Sequence, residues 1–171
     1  MEHAENCHYL SFSLDGERYA VSIDRVQEVL EYSPITRLPR MESYMKGIIN
    51  LRGTGIPVID LRLRFGMPQT PIGKDTAIIV MELEHDGANA VVGVLADAVH
   101  EVVELPEASI EPPPRLGAGL ASRHIRGVGK HDDGFMIVID IDGALEGGEY
   151  LNPTDPGEAA VPDPGPIEAS G

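Results

Sequence analysis

The chain has 171 residues, enough for one ordinary domain or two very small ones. Apolar residues make up 42 % and aromatics 5 %, with no tryptophan, so the core has to be built from Val, Ile, Leu and Ala. A net charge of −15 argues against sequence-independent binding to nucleic acid, which needs a basic face, and against docking on anionic lipid.

Cys7 is the only cysteine, so no internal disulfide can form, which fits a reducing compartment. The N-terminal MEHAENCHYL lacks a basic n-region and an apolar h-region. Nearly apolar runs such as AVVGVLA (90–96) fall far short of the ~20 residues a membrane helix needs. The expectation is a soluble, cytoplasmic protein without direct membrane insertion.

Along the chain, residues 8–14 (HYLSFSL) alternate apolar and polar, and YAVSI (19–23) follows an Asp15-Gly16 turn, so the two predict a hairpin. Asp24 is placed to cap a short helix, DRVQEVL, ended by Ser33-Pro34. ITRLP is extended. Residues 47–52 and 55–61 form a second hairpin around Gly53-Thr54. Pro57 cannot donate a ladder hydrogen bond, which predicts an edge strand or a bulge there. LRLRFG makes one helical turn before Met67-Pro68. Residues 76–84 and 90–95 form a third hairpin around His85-Asp86-Gly87, and AVHEVVEL (98–105) continues as strand or short helix. Glu111-Pro112-Pro113-Pro114 is extended. Residues 124–130 and 135–141 form a fourth hairpin around Asp132-Asp133-Gly134. Four hairpins with short connectors predict an all-β barrel class. Residues 147–171 hold five prolines, five glycines, five acids and no Lys or Arg. Such a composition does not offset the entropy of ordering, so a disordered tail is expected.

The two halves repeat. Asp15-Gly16 answers Asp86-Gly87, VQEV (26–29) answers VHEV (99–102), Lys46-Gly47-Ile48 answers Arg126-Gly127-Val128, and VIDL (58–61) answers VIDI (138–141). Four matches in the same order point to two copies of one small unit of about five strands. Each is marginal alone at that size, so the copies should pack together. Only the first copy carries Leu51-Arg52-Gly53. It also holds most of the basic charge: residues 37–64 carry six cations against Glu42 and Asp60, a net +4, while residues 75–114 carry nine acids and no Lys or Arg. An acidic chain with one basic segment has a candidate docking patch for an acidic partner.

Catalytic readings fare poorly. Asp60 and Asp140 could form an acid dyad, giving a small acidic aspartyl hydrolase. That chemistry needs a small D-[TS]-G turn, whereas Leu61 and Ile141 follow here. A strand-end Asp capping the next helical turn explains both better. None of the six histidines pairs with another at metal spacing, and His3 with Cys7-His8 is a poor ligand set. No nucleophile elbow, HExxH or phosphate loop appears, so neither catalytic residue, cofactor nor metal is expected. Surface display remains. Arg52, at a hairpin tip, carries a planar group suited to carboxylates, with Glu28 and Val26 in the same half.

VQEV, KGIINLRG (46–53), IPVIDLRLRFG (56–66), VGVLAD (92–97) followed by VHEV, and IRGVG (125–129) followed by MIVIDI together resemble the CheW family, adaptors that couple chemoreceptors to the histidine kinase CheA. The resemblance runs from about residue 8 to about 146. It implies two small five-stranded SH3-like β-barrels packed together, with short helices and no catalysis. The first barrel is expected mainly from about 15–75 and the second mainly from about 76–146, with strand exchange at the ends and the tail 147–171 outside. One surface would bind the CheA regulatory domain, and a groove between the barrels the cytoplasmic tip of a chemoreceptor, recruiting the chain to membrane receptor arrays. Positions matching the family's binding motifs are Val26, Glu28, Gly47 and Arg52, with Gly93 and Gly127 at matching turn or strand positions. Gly55 departs from the family's β-branched residue, and Ala96 from its usual Val. No receiver, kinase or phosphotransfer segment accompanies the motifs, which implies a single-domain adaptor. An adaptor of a non-flagellar pathway, serving surface motility or biofilm signalling, is the nearest alternative.

Overall fold

A computed structural model describes residues 6–85, 87–112, 124–131 and 134–145. Asp86, Pro113-Pro114, the Asp132-Asp133 turn and the tail 147–171 lie outside them. The described strands are β1 (Asn6–Leu14), β2 (Glu17–Ser22), β3 (Val26–Glu31), β4 (Met45–Leu51), β5 (Thr54–Asp60), β6 (Ala77–His85), β7 (Ala88–Ala96), β8 (Ala98–Pro106), β9 (Ile125–His131) and β10 (Gly134–Ile139). Single helical turns follow β5 and β10: α1 (Leu61–Arg64) and α2 (Ile141–Ala144).

The strands form two five-stranded sheets, ordered β8-β1-β2-β10-β9 and β3-β6-β7-β5-β4. Replacing each strand of one sheet by its repeat partner, β1 by β6 through β5 by β10, generates the other sheet. The copies are therefore equivalent, but each lends its first hairpin to the other. One sheet is built from residues 6–22 and 98–139, the other from 26–96: three strands of each come from one stretch, 76–146 or 15–75, and two from an exchanged hairpin. The joins are parallel pairs, Val58↔Gly93 in one sheet and Val138↔Ala20 in the other. Each sheet rolls closed through one bridge, Thr36↔Ile48 or Glu111↔Val128.

Three apolar clusters result. Ile49, Ile56, Val58, Ile78 and Leu95 fill the interior of one barrel. Tyr9, Ala20, Val103, Leu105, Met136 and Val138 fill the other. The largest cluster lies between them and draws on both exchanged hairpins, with Phe12, Leu14 and Val21 against Ile79, Met81, Val92 and Val94. Along each hairpin, side chains alternate between a barrel interior and this shared core, the period-two pattern of a strand buried on both faces.

Asp60 and Asp140 cap the turns after their strands. Asp60 is fully buried and accepts hydrogen bonds from the Arg62 and Thr70 backbone N–H groups (both 3.0 Å) and the Thr70 hydroxyl (2.6 Å). Asp140 is exposed and accepts from the Gly143 N–H at 3.2 Å. Among the described residues no hydrogen bond joins the two carboxylates, which have separate capping duties, so the dyad is not formed.

The second residue of each helical turn clamps the place where the chain crosses between sheets. Buried Arg62 in α1 reaches Asp97, between β7 and β8, at 3.1 and 3.3 Å, and Asp15 at 3.2 Å. Asp142 in α2 meets Arg25, between β2 and β3, at 2.5 and 3.2 Å, and accepts the Glu84 N–H at 3.0 Å. The two clamps occupy matching places with reversed polarity.

Two local expectations change. VQEV is strand, not helix: only a 3-10 turn, Ile23–Arg25, precedes it, and pairing with Ile79, Val80 and Met81 of β6 holds it extended. Pro57 lies on neither an edge nor a bulge, since β4 and β7 flank β5 and the β4–β5 irregularity falls between Met45 and Gly47. Its partner Ile48 points both backbone groups at Thr36, so Pro57 occupies a non-hydrogen-bonded register with β4. Its pairing with β7 starts one residue later, at Val58.

Three outcomes follow for stability. A Cβ on Gly47 would lie 2.0 Å from the Thr36 carbonyl oxygen, at φ +140°, so Gly47→Ala should cost about 3 kcal/mol or more in urea unfolding. Gly55 is exposed and a Cβ there meets only Ile48 at 3.7 Å, so Gly55→Val should stabilise by ~1 kcal/mol at unchanged m-value. Asp97→Ala, which strips the buried Arg62 of its main partner, should cost about 3 kcal/mol.

Candidate protein-binding site

β3 alternates half-buried and exposed side chains from Val26 to Glu31, and both Val26 and Glu28 are half-buried. A bulge against β6 falls between these two, where Val26 pairs with Met81 and Glu28 with the next residue back, Val80. Bulges of this kind re-aim side chains. Glu28 is aimed at the β4–β5 turn, where both terminal nitrogens of Arg52 donate to its two carboxylate oxygens. The hydrogen bond from Arg52, more than its charge, holds the Glu28 carboxyl below the usual range. The pair therefore persists in mildly acidic solution and is lost as pH falls through that lowered value.

The β4–β5 turn is stereochemically costly. Leu51 pairs with Thr54, leaving a two-residue loop in which Arg52 has φ +52° and Gly53 φ +88°. Two positive values make a type I′ turn, which asks for Asn, Asp or Gly at its first position. The β1–β2 turn complies, with Asp15 at +51° and Gly16 at +85°. An arginine gains nothing there for the turn, although Asn50 Oδ1 supports it by accepting the Gly53 N–H at 2.8 Å. The Arg52 side chain is 72 % exposed even with Glu28 engaged, so one face of the guanidinium pair is open to a partner.

The structure thus joins Glu28 and Arg52, while Val26, on the other side of the bulge, packs against the shared core. The three glycines are buried and present no side chain. Gly47 and Gly127 allow the close approach of the two closing bridges: a Cβ on Gly127 would stand 2.5 Å from the Glu111 carbonyl oxygen. Gly93 packs under Ile78, whose methyl a Cβ would meet at 2.8 Å. They shape the barrels that carry the site.

In the other barrel Glu101 takes the place of Glu28 and pairs with His131 (3.5 Å) and Arg18 (3.7 Å). A nearby cleft holds a Ser13 Oγ–His100 Nε2 hydrogen bond of 2.6 Å, reminiscent of a nucleophile and base. Among the described residues no carboxylate orients His100, so the third member of such a triad is missing. No group of three or more His, Cys, Asp or Glu among the described residues could hold a metal ion. No described helix is long and apolar enough to cross a membrane. The clamps around Arg62 and Asp142 escaped sequence reading, although the two residues stand 80 apart, the same offset as Asp60 and Asp140.

Comparison with known proteins bears on all of this. The CheW-like domain profile matches residues 8–149. The chain is 33 % identical to the chemotaxis protein CheW of Klebsiella aerogenes over 141 residues, 82 % of each chain. It is 30 % identical to that of Bacillus subtilis over 152 residues, 89 % of this chain and 90 % of the other. The crystal structure of the scaffolding protein TtCheW from Thermoanaerobacter tengcongensis superposes with a TM-score of 0.72 at 39 % identity, covering 82 % of this chain and 92 % of that one. With the same two-sheet architecture and motifs across residues 8–149, the chain belongs to the CheW family of non-enzymatic chemotaxis scaffolds.

Proposed function

We propose that this protein couples chemoreceptors to the histidine kinase CheA in a cytoplasmic signalling array assembled on membrane receptors. The observation that carries this reading is Arg52. It occurs in only one of two equivalent copies, stands in a conformation that disfavours it, and keeps its guanidinium exposed on Glu28. A residue that breaks a local folding rule without a folding gain marks a functional position. In this reading Val26, Glu28 and Arg52 contact the partner, either the regulatory domain of the kinase or the receptor tip. Gly47, Gly93 and Gly127 set the strand spacing beneath.

The ion pair also spans the seam between β3 and β4, the two ends of their sheet, so a structural role is the competing account. Arg52→Asn separates them. Asparagine suits the left-handed turn, so thermal stability should hold or rise, while affinity for the isolated kinase regulatory domain should fall by about tenfold, as expected for an interface arginine. A lower thermal midpoint with unchanged affinity assigns the pair to the seam instead. Reconstituted kinase, receptor and this protein should lose receptor control of kinase activity when this protein is omitted. Control that survives the omission rejects the coupling role.

A further inference from the structure

Four cations gather around the start of β4. The Thr36↔Ile48 bridge sets Arg37 alongside β4, Lys46 lies on the strand, and Arg40 is in the connection between them. The Arg64 guanidinium stands 4.9 Å over the ring of Tyr44, two residues before Lys46. Arg37 and Arg40 are exposed, and Lys46 donates to the neutral Gln69 side chain at 2.9 Å. Among the described residues none of Arg37, Arg40 and Lys46 forms an ion pair with a carboxylate. In a chain of net charge −15, Arg37, Arg40 and Lys46 thus stand as basic groups with no carboxylate partner among the described residues.

The chain leaves the described fold at this same surface. Arg64 Nε donates to the carbonyl of Ala144 at 2.8 Å, in the last turn of α2, and Leu145 is the last described residue. Beyond it come Glu146, Glu149, Asp155, Glu158, Asp163 and Glu168, with no Lys or Arg through residue 171. We propose that the acidic segment 146–171 docks back on the surface formed by Arg37, Arg40, Lys46 and Arg64 and covers it within the same molecule.

Exposed ion pairs are weak between free partners, but a tether raises the local concentration of one for the other. Attachment beside Arg64 puts the first acids within reach of the cations, and the 26 residues of 146–171 span ~90 Å at full extension, so reach imposes no limit. Charge also selects the surface. On the other barrel, Arg18 and Arg126 are already paired with Glu101 and Glu107, and Glu104 is exposed beside them, so that face offers the segment less net positive charge.

The inference does not depend on which partner the protein binds, and its test needs none. A nitroxide on Ser170→Cys, in a full-length chain carrying Cys7→Ser, reports where the segment dwells through broadening of backbone amide signals. The amides of Arg37, Arg40 and Lys46 should broaden while those of Glu104 and Glu107 do not. In 1 M salt, where the Debye length is ~3 Å, that broadening should drop about threefold or more. The same drop should follow amide replacement of the acids at 149, 155, 158, 163 and 168. Equal broadening on both faces, or broadening indifferent to salt and to amide replacement, overturns the proposal.

Discussion

Everything in this fold depends on the exchange of hairpins between its two copies. Neither copy holds a complete sheet, because β5 lies beside β7 and β10 beside β2 in parallel pairs that only the exchange supplies. Parallel neighbours require long crossovers, here α1 and β6 between β5 and β7, and most of the chain between β2 and β10. The lent hairpin faces two ways, filling the host barrel with Ile78 and Leu95, or Ala20, and meeting its opposite number through Phe12, Val21, Met81 and Val94. A five-stranded unit of this size has too little interior to be stable alone. Exchange makes each interior part of one larger apolar body, so barrel interiors and shared core should unfold together.

The repeat was legible in the sequence because turns and strand ends leave fixed residues behind: Asp-Gly at the first hairpins, VIDL and VIDI at the capped helical turns. The exchange was expected only through the family resemblance and not from the repeat itself. A repeat shows which residues are equivalent and is silent on whether equivalent strands pair within a copy or across copies. VQEV was misread for a related reason. Valines at 26 and 29 with Leu30 fit a helical face as well as a strand, and the choice belongs to β6, some fifty residues away. Local pattern is a weak guide where a tertiary partner decides. Pro57 misled in the opposite direction. A proline is tolerated inside a sheet when both neighbours leave its nitrogen unclaimed, and that depends on register.

At the binding site the residues were legible and their geometry was not. Arg52 stood out because one copy has it and the other lacks it, yet its contact with Glu28, 24 residues earlier, depends on a bulge and on barrel closure. The glycines of the same motifs carry a different meaning. Gly47 and Gly127 recur in both copies because the closing bridges leave no room for a side chain. Recurrence across the copies marks scaffold, and its failure marks the places where the two barrels serve different ends.

The reversed polarity of the two clamps bears on how the chain finds this arrangement. Had each copy kept its own hairpin, Asp142 of α2 would face the β7–β8 crossing, where Asp97 stands, and Arg62 would be set beside Arg25. Exchange brings Asp142 to Arg25 and Arg62 to Asp97. Two units alike enough to share one fold are thus told apart by sign, and the self-contained alternative is penalised by like charges at both crossings.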